Sequence, residues 1–280
     1  MKIRLFLSAS FLFLITLSTQ AQELFLYKEL DTTQLFVEVL YPEEMEGGKE
    51  YPAVVFFFGG GWVGGSREHF RPQATYFAKR GLVCFLVDYR TRSVHQTPPF
   101  ESLKDAKSAM RFVRSHAEQF HLDPNQIIAG GGSAGGHLAA ATALVSGFND
   151  GQDDLNISPI PNALLLFNPV IDNGPGGYGF ERVGEAYKEF SPLHLIGKGA
   201  PPTLFLLGTQ DNLVPVATAE YYKTVMEKVG SRCDLHLYEG QPHGFFNYRN
   251  FEFYEKTLLA ADEFLQSLGY LSDQPKVKIE

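Results

Sequence analysis

Five short stretches of the chain are apolar at odd and even positions alike: residues 53–58, 82–88, 127–129, 163–167 and 203–207, each closing in loop residues. A strand with one face in water alternates polar and apolar side chains. A run without alternation must be covered on both faces, as in a parallel sheet enclosed by helices. The intervening segments supply the covers. Leu103, Ala106, Met110, Val113 and Ala117 recur every three or four residues, as do Tyr221, Val225 and Val229, and then Leu258, Ala261 and Leu265. Each set predicts a helix with one buried stripe. Residues 35–41 alternate instead, as a half-exposed antiparallel strand does, and belong to a short opening hairpin. Residues 233–238 are a further strand-like stretch. This order predicts an α/β fold, with a mostly parallel central sheet flanked by helices and right-handed crossovers.

The 280 residues, 44% hydrophobic and 20% charged, contain enough apolar side chain for a sizeable core and exclude disorder as the main state. No repeat and no linker divides them. The net charge of −8 argues against a nucleic-acid partner, which would require a basic face. Two cysteines are too few for a disulfide scaffold, an all-cysteine zinc site or an iron–sulfur cluster. Cys84 and Cys233 sit in strand-like stretches and are expected to be unpaired; a bridge would need their Cα atoms within ~7 Å.

Lys2 and Arg4 precede an uncharged, mostly apolar run over residues 5–17, followed by Thr19-Gln20-Ala21. This layout predicts a signal peptide over residues 1–21, with a retained N-terminal anchor as the alternative. The run is short of the ~20 residues that span a bilayer. The expected mature chain, residues 22–280, is then one exported catalytic domain, periplasmic or secreted, without stable membrane insertion. Residues 172–202 form a long stretch, Gly-rich at 174–179, that carries Tyr178, Phe180, Tyr187 and Phe190. They read as a cap insertion after the sixth strand, or else as a surface insertion.

Gly131-Gly132-Ser133-Ala134-Gly135 matches G-x-S-x-G, the pattern of a nucleophile raised at a sharp strand-to-helix turn. Glycines two before and two after let strand and helix pass closely. The setting agrees, since residues 127–129 read as a strand and the Ala-rich residues 136–146 as a helix. Such an elbow takes its acid and its histidine from later in the chain. Asp211 follows the strand 203–207, and His243 follows the strand ending near Tyr238, so both stand at the carboxyl edge of the sheet. His243 is expected to accept the Ser133 proton and Asp211 to orient the imidazole. Activity should therefore fall as an acidic medium protonates the base. Asp172, which closes another strand, is the alternative acid. His236 and His137 fit a structural role better, and His69, His95, His116, His121 and His194 have no elbow-like setting. Backbone N–H groups of Ala134, Gly60 and Gly61 are candidates for the oxyanion hole, because a backbone without Cβ can approach closely. Trp62 either walls an acyl or sugar pocket, together with Tyr178 and Phe180, or simply packs.

With these residues in hand, the chain resembles the α/β-hydrolases over about residues 36–268. The likeness is to the esterase/lipase branch that includes hormone-sensitive-lipase-like esterases and bacterial acetylxylan/feruloyl esterases. It rests on Phe58-Gly59-Gly60-Gly61-Trp62, Val87-Asp88-Tyr89-Arg90, Leu122-Asp123-Pro124-Asn125-Gln126-Ile127, Gly132-Ser133-Ala134-Gly135-Gly136-His137, Gly208-Thr209-Gln210-Asp211 and His243-Gly244-Phe245. The resemblance implies ester hydrolysis through an acyl-enzyme, with no metal or organic cofactor. It implies as substrate a small-molecule or carbohydrate ester, such as a short acetyl or feruloyl ester on polysaccharide. A general short-chain carboxylesterase is the alternative. One departure is visible: the loop usually opens with His, and Phe58 stands there.

Three rivals compete. Gly59-Gly60-Gly61-Trp62-Val63-Gly64 satisfies the dinucleotide fingerprint G-x-G-x-x-G after a strand, but polar residues ending in Pro72 follow where a helix should open. A non-catalytic binding protein on the same fold leaves the Ser, Asp and His without a role. A prolyl-oligopeptidase-type peptidase would need a large extra domain. The motifs H-E-x-x-H, C-x-x-C and G-x-x-x-x-G-K-[ST] do not occur. Oligomeric state is left open.

Overall fold

The computed structural model describes residues 23–272 and 277–279; the signal-peptide expectation over residues 1–21 falls outside them. Among the described residues eight strands form one sheet in the order β1-β2-β4-β3-β5-β6-β7-β8. The strands are β1 (Glu23–Leu30), β2 (Thr33–Leu40), β3 (Tyr51–Phe57), β4 (Val83–Val87), β5 (Leu122–Gly132), β6 (Ala163–Phe167), β7 (Thr203–Gly208) and β8 (Cys233–Tyr238). β1 pairs antiparallel with β2, and β2 with β4; every other neighbouring pair is parallel. The chain is therefore a mostly parallel α/β sheet.

The double-sided apolar runs are explained by two cores, one on each face. Ala53, Val55 and Phe57 of β3 point into one; Val54 and Phe56, offset by one residue, point into the other. The first core is covered by α3 (Pro99–Ser115), α4 (Ala134–Leu144) and α7 (Val216–Lys228), the second by α1 (Arg71–Lys79) and α8 (Phe251–Ser267). A buried ion pair joins the second pair of helices. Arg80 Nε lies 2.6 Å from Asp262 Oδ2, both side chains are almost fully buried, and the Tyr76 hydroxyl donates to the same carboxylate.

Some local expectations need correction. The buried stripe of α7 is Ala219, Tyr222 and Met226, whereas Tyr221 is 59% exposed. Tyr222 and Met226, each one residue on from Tyr221 and Val225, keep the same four-residue spacing, and the Tyr222 ring packs 5.4 Å from Phe205 of β7. The polar residues 66–72, ending in Pro72, argue in sequence against an opening helix. They form a 3-10 turn (Arg67–Phe70) that leads into α1, with Pro72 in the first turn, where a missing N–H costs nothing. β5 begins at Leu122, and residues 123–126 bulge out of the ladder between the pairs Tyr51–Leu122 and Ala53–Ile127. Glu38 on β2 alternates as an outward polar residue should, yet it is buried, because Arg71 grips its carboxylate through two bonds of 2.8 and 2.7 Å. Cys84 and Cys233 are buried and unbridged. They lie on β4 and β8, five strand spacings and thus roughly 24 Å apart, and on opposite faces of the sheet.

Residues 172–202, between β6 and β7, contain two single-turn helices, α5 (Phe180–Val183) and α6 (Tyr187–Phe190), and two 3-10 turns (Gly184–Ala186 and Pro192–Leu195); α2 (Arg92–His95) is equally short. Arg182 ties this segment to the Gly-rich loop after β3, donating from Nη1 to the Gly61 carbonyl and lying 5.4 Å from the Trp62 ring centre.

Candidate active site

Ser133 stands between β5 and α4 with φ 55° and ψ −120°, in a region that costs a non-glycine residue of order 1–3 kcal/mol. The surroundings hold it there. Its N–H donates to the Phe167 carbonyl at 3.0 Å, and its own carbonyl accepts from His137 N–H at 3.0 Å. Close approach explains the flanking glycines. A Cβ on Gly131 would lie 2.7 Å from the Phe57 carbonyl oxygen, and one on Gly135 2.6 Å from the Phe57 carbonyl carbon. The turn so formed lifts the hydroxyl clear of its neighbours and leaves Ala134 N–H at the open start of α4.

The three expected side chains meet. His243 Nε2 is 2.9 Å from Ser133 Oγ, and His243 Nδ1 is 2.7 Å from Asp211 Oδ2. The Asp211 carboxylate is fully buried, and its other oxygen accepts from the Leu213 and Val214 amides at 2.8 and 2.9 Å. Those amides stabilise the charge and fix the carboxylate plane. The His243 ring remains 18% exposed, enough for a reacting group to reach it. Asp172, the alternative acid, is turned towards Gly174 N–H and His194 instead. His137 is fully buried behind the nucleophile, and burial pushes its pKa down to about 3, so the ring is neutral. His236 lies on the solvent side of β8.

The loop after β3 faces the nucleophile. A Cβ on Gly59 would be 3.4 Å from Ser133 Cβ. Gly60 (φ 127°) and Gly61 (φ 64°) both have left-handed backbone, and a Cβ on Gly61 would meet the Tyr178 hydroxyl at 2.5 Å. The Gly60 carbonyl accepts from Val63 and Gly64 N–H at 3.0 and 3.2 Å, and the Gly61 carbonyl from Arg182. With these oxygens held, the Gly60 and Gly61 N–H groups make no hydrogen bond to the described residues and are available to an anion. Phe58, in place of the histidine, stacks on Tyr89 at 3.9 Å between ring centres.

The aromatic trio divides. Trp62 is only 2% exposed and lies 5.0 Å from His137 and 5.8 Å from Tyr178, so most of it packs. Its edge, with Gly61, Val63, Arg92, Pro98 and Arg182, lines a cavity of about 300 Å³. Tyr178 covers Gly61 and Phe180 faces Tyr187, and neither lines that cavity, contrary to expectation, because each is turned to a neighbour of its own. Sequence reasoning passed over Asn168, which follows β6 and meets the His243 loop with both ends of its amide: its Oδ1 accepts from Gly244 N–H at 2.9 Å, and its Nδ2 lies 3.4 Å from His243 Nε2. It also passed over His69, whose Nδ1 accepts from Gly59 N–H. The position of Asn168 at a strand's carboxyl end was the one available signal; His69 offered none. Among the described residues no cluster of three or more His, Cys, Asp or Glu could hold a metal ion, and no helix is long and apolar enough to cross a membrane.

Comparison with known proteins bears on the family of the chain. The chain matches the BD-FAE family over residues 38–172 and the dienelactone hydrolase family over residues 178–269. Among solved structures it is similar to Thermogutta terrifontis esterase 2 phosphorylated by paraoxon, at 43% identity and a TM-score of 0.86, covering 90% of this chain and 96% of that one. The chain is an α/β-hydrolase of the esterase family. The propionate-bound form of that Thermogutta terrifontis esterase is 42% identical, with a TM-score of 0.85 and coverage of 91% and 97%. The chain is also 27% identical to an acetylxylan esterase of Xylanibacter ruminicola, over 95% of its own length and 55% of the relative's. It is 28% identical to esterase LipC of Mycobacterium tuberculosis, over 70% and 54%. The chain thus spans about half the length of the curated relatives it matches.

Proposed function

We propose that the chain is an exported serine esterase that removes short acyl groups, acetyl above all and feruloyl as a second case, from plant or algal polysaccharide or its oligosaccharides. The observation that carries the chemistry is the line of contact from Ser133 Oγ through His243 to Asp211, at 2.9 and 2.7 Å. Ser133 Oγ attacks the ester carbonyl while His243 Nε2 takes its proton. The resulting oxyanion is received by the N–H groups of Gly60, Gly61 and Ala134, each such donor being worth about 3–4 kcal/mol in the transition state. His243 returns the proton to the departing alcohol oxygen, leaving an acyl-Ser133. Water, deprotonated by the same ring, then releases the carboxylic acid and restores the hydroxyl. Asp211 keeps the imidazole in the required tautomer and stabilises its cation.

The carbohydrate reading is supported by the acetylxylan esterase relative and by the signal-like start of the chain. The cavity of about 300 Å³ beside Gly61 is of a size to take a sugar ring. A general short-chain carboxylesterase is favoured instead by the higher identity to an esterase bound to propionate and butyrate. Hydrolysis of nitrophenyl esters from acetate to decanoate, set against acetylated xylan and methyl ferulate, separates the two. Ser133→Ala should fold normally, lose fluorophosphonate labelling and abolish ester turnover. A variant retaining more than a few per cent of activity would overturn the nucleophile assignment.

A further inference from the structure

The peptide unit that opens the Gly-rich loop is held at both ends by side chains. The Tyr89 hydroxyl donates to the Phe58 carbonyl at 2.7 Å, and the Gly59 N–H donates to His69 Nδ1 at 3.1 Å. Its plane is therefore fixed, which anchors the start of the loop whose next two amides are those of Gly60 and Gly61. For Nδ1 to accept, the ring proton must sit on Nε2, and Nε2 faces Asn247 Oδ1, which accepts it. Asn247 in turn donates from Nδ2 to the Gly244 carbonyl at 2.6 Å, and Gly244 N–H donates to Asn168 Oδ1 at 2.9 Å. An unbroken series of hydrogen bonds thus runs from the amide loop to the residue after the general base. Burial holds the His69 pKa below its ordinary value, so the ring keeps the neutral state that this pattern requires.

We propose that His69 is a positioning residue for ester hydrolysis: its Nδ1 sets the orientation of the oxyanion amides, and its Nε2–H holds that loop in register with the loop bearing His243. The inference rests on the serine esterase reading above. His69 does not reach the reacting atoms; its nearest approach to them is through Gly59, where a Cβ would be 3.2 Å from His69 Cε1 and 3.4 Å from Ser133 Cβ. Its contribution should appear in the transition state, where charge develops on the carbonyl oxygen, and not in substrate binding.

Three variants separate this role from simple support of the fold. The Asn in His69→Asn places its amide oxygen where Nδ1 stood, keeping the acceptor for Gly59 and losing the bond to Asn247. His69→Gln reaches Asn247 and leaves Gly59 N–H without an acceptor. His69→Ala loses both. Kinetics on nitrophenyl acetate and thermal unfolding are measured for each, beside the wild type and Ser133→Ala. A loop displaced by a fraction of an ångström to 1 Å costs roughly 10–100-fold. The expected result is that loss in kcat for His69→Ala and His69→Gln, with KM within about twofold, and His69→Asn recovering to within about fivefold of wild type. The proposal is overturned if His69→Gln matches wild-type kcat, if His69→Asn is no better than His69→Gln, or if the losses follow Tm alone. If His69→Ala fails to fold, the Asn–Gln comparison still decides. Turnover surviving in Ser133→Ala would point to a different failure, that of the nucleophile assignment.

Discussion

Gly135→Ala perturbs the site without touching a reacting atom. Its Cβ would fall 2.6 Å from the Phe57 carbonyl carbon and closer still to the Phe57 and Phe58 carbonyl oxygens. Non-bonded carbons rest at about 3.5–4.0 Å, so the end of β3 and the start of α4 must separate by roughly 1 Å. Neither partner is a flexible side chain; both are backbone, in the middle of the sheet and in a buried helix. Overpacking of this kind costs about 1–3 kcal/mol, or roughly 2–12 °C in Tm for a chain of this size. The kinetic effect should be larger than the loss of stability implies. Ser133 lies two residues before Gly135, and the oxyanion amides lie two and three residues after Phe58, so the shift separates nucleophile from donors. A misplacement of 1 Å is worth on the order of 100-fold in kcat, ~2.7 kcal/mol. Steady-state kinetics on nitrophenyl acetate below the melting range would measure it, with Gly151→Ala as control, since nothing lies within 4 Å of a Cβ there. Wild-type kcat and Tm in Gly135→Ala would refute the claim that strand, helix and amide loop are wedged together at this point.

Two further predictions concern stability. Asp262→Ala leaves the Arg80 guanidinium without its buried partner and should cost about 3–5 kcal/mol in denaturant unfolding; a change below ~1 kcal/mol would show that water reaches the pair. His137, depressed to about 3 in the fold, takes up a proton more readily when unfolded, where an imidazole titrates near 6.5. Its contribution is therefore intact above about pH 6.5 and is lost as the pH falls towards 3, reaching about 3 kcal/mol by pH 4.5. His137→Leu should be less stable than wild type at neutral pH because the Phe190 carbonyl loses its donor, and the gap should narrow by that amount at pH 4.5. A gap independent of pH would show that the ring is not held neutral.

The sheet was legible because its strands feed two cores, and a strand that does so cannot alternate; β3, β4 and β7 show this plainly. What failed was local and tertiary in origin. The first turn of α1 is polar because Arg71 is turned to Glu38, so its pattern carried no stripe until the partner strand was known. On α7, Tyr221 and Tyr222 offered the same spacing, and only the neighbouring strands distinguish them. The meeting of Ser133, Asp211 and His243 was legible because each closes a strand on one edge of the sheet, a position the sequence reveals. His69 was not. Its partner Asn247 lies 178 residues away, and no local pattern marks either residue.

The two thiols, one beneath each face of the sheet and shielded from solvent, have a consequence for how the molecule meets an oxidant. They are too far apart to be joined by an oxidant, so maturation need not wait for a disulfide-forming catalyst, and a change of redox poise leaves the native chain without a bond to make or break. Because Cys84 and Cys233 belong to separate layers, an alkylating reagent reaches each only when its own layer opens, and the order in which they react records which half of the structure gives way first.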